Sequence, residues 1–183
     1  MQVFTIAGIC GSLRKGSYNR LLLKAAAELL PQDARLQVMG LEDIPPFNAD
    51  LEPDMPLAVR EFKARVRAAD AVLFATPEYN YSVPGVLKNA IDWASRPSGD
   101  NSWQGKPVAL MSASSGMLGG FRAQYHLRQT FVYLDVHPIN RPEVMVSFAK
   151  DKFDRDGRFT DETGRRLIAQ LLDNLVAWGR RIK

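Results

Sequence analysis

Ser12, Arg14, Lys15, Ser17, Asn19 and Arg20 lie within nine consecutive residues, and together they make a surface for a small anion. Residues 1–27 hold Arg14, Lys15, Arg20 and Lys24 and no acidic residue; the first is Glu28. The formal charge of the whole chain is +4, from 24 basic and 20 acidic side chains, so the entire excess lies in this stretch. A nucleic-acid surface would need a longer basic stripe with interleaved aromatics. The segment Gly11 to Asn19 also follows an apolar run, Val3 to Ile9, and precedes a helical pattern. It therefore sits where unbonded backbone N–H groups and the positive end of the helix dipole attract anions. A helix start usually carries Asp or Glu, and this one adds cations instead. Hydrogen bonds to a charged partner contribute roughly 1.5–3 kcal/mol each, more than a solvated lysine gains. A turn with a solvated basic face is the competing reading. Gly8, Gly11 and Gly16 lack the G-x-G-x-x-G spacing, and Lys15 precedes Gly16, so neither a dinucleotide fingerprint nor a P-loop is present.

Two further segments carry unusual chemistry. Thr76 to Gly85 places Tyr79, Asn80 and Tyr81 between two prolines, and aromatic rings on a restricted backbone suit a flat, polar-edged heterocycle. Ser112 to Gly120 is rich in small residues, which permits close backbone approach and N–H donation to negative charge on a reduced ring. A plain flexible loop is the alternative there. Other residues offer less. His126 and His137 are far apart, and no Cys/His/carboxylate cluster has metal-ligand spacing, so no metal is expected. His126 reads as a helix-surface or subunit-contact residue. Asp154 to Gly157 reads as a turn. Cys10, the single cysteine, excludes an internal disulfide and reads as a small buried hydrophobe. Trp103 either covers the edge of a bound ring or anchors its own loop.

These loops must be held by regular elements. Val3–Ile9, Ala71–Ala75 and Val108–Met111 read as buried strands, and Leu36 with Val38 as a half-exposed edge strand. A further strand is expected near Val136–Ile139, and Val144–Phe148 either prolongs it or stands alone. Helices are expected from Ser17 to about Leu30, through Met55–Ala69, from Pro84 to about Ala94, from Phe121 to Tyr133, and around Leu167–Trp178. Alternating strands and helices predict a parallel sheet covered on both faces. The edge character of the second strand favours the flavodoxin-like order 2-1-3-4-5, in which the loops after strands 1, 3 and 4 converge. With 183 residues, 46% apolar and 24% charged, the chain reads as one domain, 1–183, that needs no disulfide or metal staple. Its longest apolar run is too short for a bilayer. No charge precedes Arg14, so no secretory signal is recognised and a cytoplasmic location is expected. The sequon Asn80-Tyr81-Ser82 then has no significance.

Gly11-Ser12-Leu13-Arg14 through Ser17 and Asn19, Pro77-Glu78-Tyr79-Asn80-Tyr81-Ser82 leading into Gly85 and Leu87-Lys88-Asn89-Ala90-Ile91-Asp92-Trp93, and Tyr125-His126-Leu127-Arg128-Gln129 jointly resemble the NADPH-dependent FMN reductase family. That family includes quinone, chromate and azo-dye reductases. The resemblance implies a flavodoxin-like fold, bound FMN, and a homodimer or a tetramer built as a dimer of dimers. It implies that Ser12, Leu13, Arg14, Lys15, Gly16, Ser17, Tyr18 and Asn19 hold the FMN phosphate. Pro77, Glu78, Tyr79, Asn80 and Tyr81 would line the ring and ribityl chain, and Ser114, Ser115 and Gly116 would contact the ring. Cys10 departs from the pattern, where Ser or Gly is expected. The expected reaction is hydride transfer from NADPH or NADH through FMN to a quinone, free flavin, azo compound or chromate, donor and acceptor entering in turn, with no protein nucleophile or general base. A flavodoxin-like electron carrier is the rival, disfavoured because such carriers are commonly acidic and this chain is basic. A phosphate-ester enzyme would need a nucleophile or metal that is not apparent. For assembly, the helix after Pro84 is apolar around more than one face, and Arg122, Tyr125 and Glu143 are expected to meet a partner subunit.

Overall fold

The computed structural model describes residues 3–182; the expected domain 1–183 extends beyond this range at both ends. Six strands form one parallel sheet: β1 (Phe4–Cys10), β2 (Ala34–Met39), β3 (Ala71–Ala75), β4 (Pro107–Ala113), β5 (His137–Pro138) and β6 (Val144–Val146). The order is β2-β1-β3-β4-β5, with β6 also paired to β4, as the edge character of the second strand predicts. The register sets Ile6 beside Ala71, Val72 beside Val108 and Met111 beside Val144. β5 lies along the start of β4 and β6 along its end. The fifth strand of the expected topology is thus interrupted: the His137 and Ile139 N–H groups donate to the Lys106 and Val108 carbonyls at 2.8 Å, and pairing with β4 resumes only at Val144.

The helices are α1 (Tyr18–Glu28), α2 (Leu57–Ala68), α3 (Gly85–Ala94), α4 (Phe121–Leu134) and α5 (Glu162–Arg181). β3 is apolar throughout, yet it alternates between two cores as a strand must. Leu73 joins Leu22, Leu23, Ile168, Leu172 and Leu175 under α1 and α5. Val72 and Phe74 join Phe62, Leu87, Ile91, Leu127 and Phe131 under α2, α3 and α4.

One alternative is decided here and one expectation is corrected. Trp103 precedes β4 and so lies at the end of the sheet opposite the loop after that strand. Only 1% of it is exposed; it packs on Phe62 and Phe74 and donates its indole N–H to the Ile91 carbonyl at 3.0 Å. It anchors its own loop. The second apolar face of α3 is also covered from within the chain, by the segment between β2 and α2. Trp93 packs with Met55 and Val59 and edge-on against Phe47, and its indole N–H reaches the Pro45 carbonyl at 2.8 Å. Asn89 accepts from the Phe47 N–H and donates to the Pro45 carbonyl. The apolar faces of α3 are therefore accounted for within one chain.

Candidate active site

β1, β3 and β4 are adjacent and parallel, so their carboxyl ends bring three loops to one side of the sheet. Between them lies a cavity of about 310 Å³ lined by Ser12, Arg14, Ser17, Tyr18, Asn19, Pro77, Glu78, Tyr79, Ala113, Ser114 and Ser115. Gly11 permits this convergence. A Cβ there would lie 3.1 Å from Leu87 and 3.2 Å from Pro77 and Thr76, tight enough to push the first loop away from the second.

The first loop ends at Ser17, in extended conformation at the N-cap of α1 but bonded to no helix N–H through its side chain. The amides of Tyr18, Asn19 and Arg20 open the helix and have no carbonyl of a preceding turn to bond. No acidic residue occupies that turn. Ser12 and Ser17 are both 2% exposed, hydroxyls withdrawn from water beside a run of positive dipole. Arg14 lies over the Tyr18 ring at 5.4 Å, and Lys15 and Gly16 are exposed at the rim with Leu13. Among the described residues, neither Arg14 nor Lys15 has a carboxylate within 4 Å. Neutral hydroxyls, free amides and an unpaired guanidinium are the donor set that suits a phosphate monoester.

Two residues of this loop behave differently from expectation. Arg20 points to Glu42, 3.3 Å away, so its charge is paired. Asn19 lines the cavity, but its amide is taken up at both ends by one backbone unit: Nδ2 donates to the Ala113 carbonyl at 2.8 Å and Oδ1 accepts from the Ala113 N–H at 2.9 Å. Asn19 fastens α1 to the end of β4.

Glu78 departs most. Its side chain is 13% exposed, and its carboxylate faces α4. One oxygen accepts from the Arg122 and Ala123 N–H groups at 2.9 and 3.4 Å, the other from the Arg122 guanidinium at 3.1 Å. The first amides of α4, expected to face a ring, are thus occupied. The N-cap position there is Gly120, with φ +90°; a Cβ on it would lie 2.7 Å from that of Ser112. The cap comes instead from across the cleft. Arg122, expected at a subunit contact, then lies over the Tyr81 ring at 3.8 Å, and Tyr125 donates to Glu143 at 3.3 Å in the same chain.

The second loop is a tight turn, with Tyr79 and Ser82 exchanging backbone hydrogen bonds at 3.1 and 3.0 Å. Asn80 and Tyr81 both have positive φ, 49° and 68°, a conformation that costs a non-glycine residue about 1 kcal/mol. Tyr79 is half exposed, and its hydroxyl lies 3.2 Å from Ser12 Oγ, so one side chain spans the cavity. Asn80, Tyr81 and Gly116 lie beyond its lining. In the third loop, Ser114 accepts from the Gly116 N–H, and the Ser114 N–H donates to Val146.

Cys10 lies at the end of β1, 6% exposed, with its thiol donating to the Ser12 carbonyl at 3.5 Å. Burial pushes this thiol above its ordinary value of 9.0. The sign is clear: the stability tied to the buried thiol is intact below that value and is lost as the pH rises past it. At pH 8 iodoacetamide is expected to leave the folded protein unmodified and to label Cys10 once urea unfolds it, read by intact mass. Rapid labelling without urea would contradict the burial. Among the described residues no group of three or more His, Cys, Asp or Glu side chains is placed to hold a metal ion, and no helix is long and apolar enough to cross a membrane. Asp154 accepts from the Asp156 and Arg158 N–H groups, which makes that segment a turn. Sequence reasoning missed two features: the cap from Glu78, and a contact of 2.9 Å between Ser82 Oγ and His126 Nδ1. Both join residues 44 positions apart, which no local pattern reveals.

A doubly wound sheet of this order, with a cation-bearing loop leading from its first strand into a helix, defines a flavodoxin-like protein. The family model for NADPH-dependent FMN reductase matches residues 4–151, and the chain belongs to that family of oxidoreductases. It is 52% identical over 179 residues to an NAD(P)H-dependent FMN reductase of Pseudomonas aeruginosa, covering 97% of this chain and 96% of the other. It is 43% identical over 178 residues to a quinone reductase of Pseudomonas putida, covering 97% and 95%. Among solved structures it is similar to FerB, a flavoenzyme NAD(P)H:(acceptor) oxidoreductase of Paracoccus denitrificans, with a TM-score of 0.90, 38% identity and 98% of both chains covered.

Proposed function

We propose that the chain acts as one FMN-binding domain and reduces quinones with electrons from NAD(P)H. Free flavin, azo compounds and metal oxyanions such as chromate form the wider acceptor set, and donor and acceptor use the same open face in turn. The observation that carries the reading is the buried Ser12–Ser17 cradle at the start of α1, with its free amides and unpaired Arg14. FMN supplies the two-electron chemistry when bound.

The residues divide the work by position. Ser12, Arg14 and Ser17, with the Tyr18 and Asn19 amides, hold the phosphate, and Leu13, Lys15 and Gly16 form the outer lip. Tyr79 closes the cavity beside the ribityl chain through its hydroxyl near Ser12. Pro77, Asn80 and Tyr81 would present rigid backbone to one edge of the ring, and Ser114, Ser115 and Gly116 would face it from the loop after β4. Glu78 acts indirectly by fixing α4 and Arg122. The exposed rings of Phe121, Tyr125 and Tyr133 on α4 are the surface proposed for a homodimer or homotetramer, and the proposed location is the cytoplasm.

The purified protein is expected to be yellow, to release FMN on denaturation, and to oxidise NADPH when a quinone is present. A yellow protein inert to NADPH would indicate an electron carrier, and a colourless one that takes up no FMN would end the assignment.

A further inference from the structure

We propose that Ser82 and His126 deliver the proton that quinone reduction requires, Ser82 as the group that touches the acceptor and His126 as the positioning residue behind it. The inference rests on the function proposed above. Converting a quinone to a hydroquinone consumes a hydride and one further proton, and the hydride donor supplies no second proton.

Three groups around the cavity are engaged elsewhere. Glu78 accepts three hydrogen bonds from α4 and its arginine. Cys10 is buried with its thiol turned to the Ser12 carbonyl. The Tyr79 hydroxyl is engaged with Ser12. The Ser82 hydroxyl instead meets the His126 imidazole at 2.9 Å, and His126 is exposed, so water can replace a proton it gives up.

The pair stands beside the cavity rather than in its lining, and is tied to lining residues from two sides. Ser82 closes the turn whose first residue, Tyr79, lines the cavity. His126 lies one helical turn beyond Arg122, which is tied to the cavity residue Glu78 and covers the Tyr81 ring. The left-handed backbone of Asn80 and Tyr81 therefore sets where Ser82 stands.

In the step, imidazolium Nδ1–H donates to Ser82 Oγ as the serine O–H passes its proton to the quinone oxygen. The hydride equivalent from NAD(P)H enters the same acceptor, giving hydroquinone, NAD(P)+ and neutral His126, which solvent reprotonates.

The test compares tetramethyl-1,4-benzoquinone, which must gain protons, with ferricyanide, which gains only an electron. In FMN-loaded Ser82→Ala and His126→Gln, kcat with the quinone is expected to fall about 100-fold more than kcat with ferricyanide, and Ser82→Thr to restore it. Independently of turnover, adding the quinone to oxidised, 15N-histidine-labelled protein should shift the His126 Nδ1 resonance in the parent and not in Ser82→Ala. Equal losses with both acceptors, or none, would overturn the relay and leave the reductase reading standing. A parent that binds no FMN and oxidises no NADPH would remove that reading, and the relay with it.

Discussion

Ser17→Asp is expected to fold about as well as the parent and to purify without flavin. Aspartate is among the best N-cap residues, and a carboxylate at the positive end of α1 gains about 0.5–1 kcal/mol from the first amides and the dipole. Ser17 caps no amide through its hydroxyl, so the substitution removes no existing cap, although burial of the carboxylate at this 2% exposed position offsets part of the gain. The same carboxylate would stand about 4 Å from a bound phosphate. Two like charges at that distance repel by about 4 kcal/mol at an effective dielectric constant near 20, which weakens FMN binding about a thousand-fold. Quenching of FMN fluorescence gives the affinity, and thermal unfolding of the flavin-free proteins gives the stability. Retention of tight FMN binding would mean that the phosphate lies elsewhere.

Glu78→Ala is expected to act on the fold itself. It removes the acceptor of two α4 amides and the partner of Arg122 together, and Gly120 has no side chain to replace the cap. Loss of one partner of a mostly buried pair is strongly destabilising, but Arg122 is 31% exposed and water recovers part of the loss. A cost of about 2–4 kcal/mol follows, or a fall in Tm of about 5–15 °C for a chain of this size. Glu78→Gln retains one acceptor oxygen and should lose about half as much. Calorimetry of the flavin-free proteins checks both. An alanine variant as stable as the parent would mean that the α4 amides find another acceptor.

The two residues also mark how far the amino-acid sequence can be read. β3 is wholly apolar, β1 and β4 are apolar but for Thr5 and Ser112, β2 alternates, and helices follow each of the first three strands. That pattern leads to the sheet order, and the sheet order places the three loops together. Ser12, Ser17 and Arg14 were legible because a helix start without acids and with added cations is unusual on its face. Glu78 and Asn19 were legible as part of the cavity lining but not in their contacts, and Arg20 as a cation of the loop but not in its pairing with Glu42. Their partners lie 44, 94 and 22 positions away, and only the fold decides whether a polar side chain meets a ligand or another backbone. The split of the fifth strand, and the covering of Trp93 by residues before α2, are likewise products of packing that periodicity does not encode.

The double hydrogen bond between Asn19 and Ala113 has a kinetic meaning. It stitches the mouth of the first loop to the far side of β3 before any ligand arrives, so the seat is preformed and flavin uptake orders little additional backbone. Flavin-free and flavin-loaded protein should accordingly share one urea m-value, and their Tm should differ only as the free FMN concentration dictates. Association should follow a single exponential, as for entry into a rigid receptor.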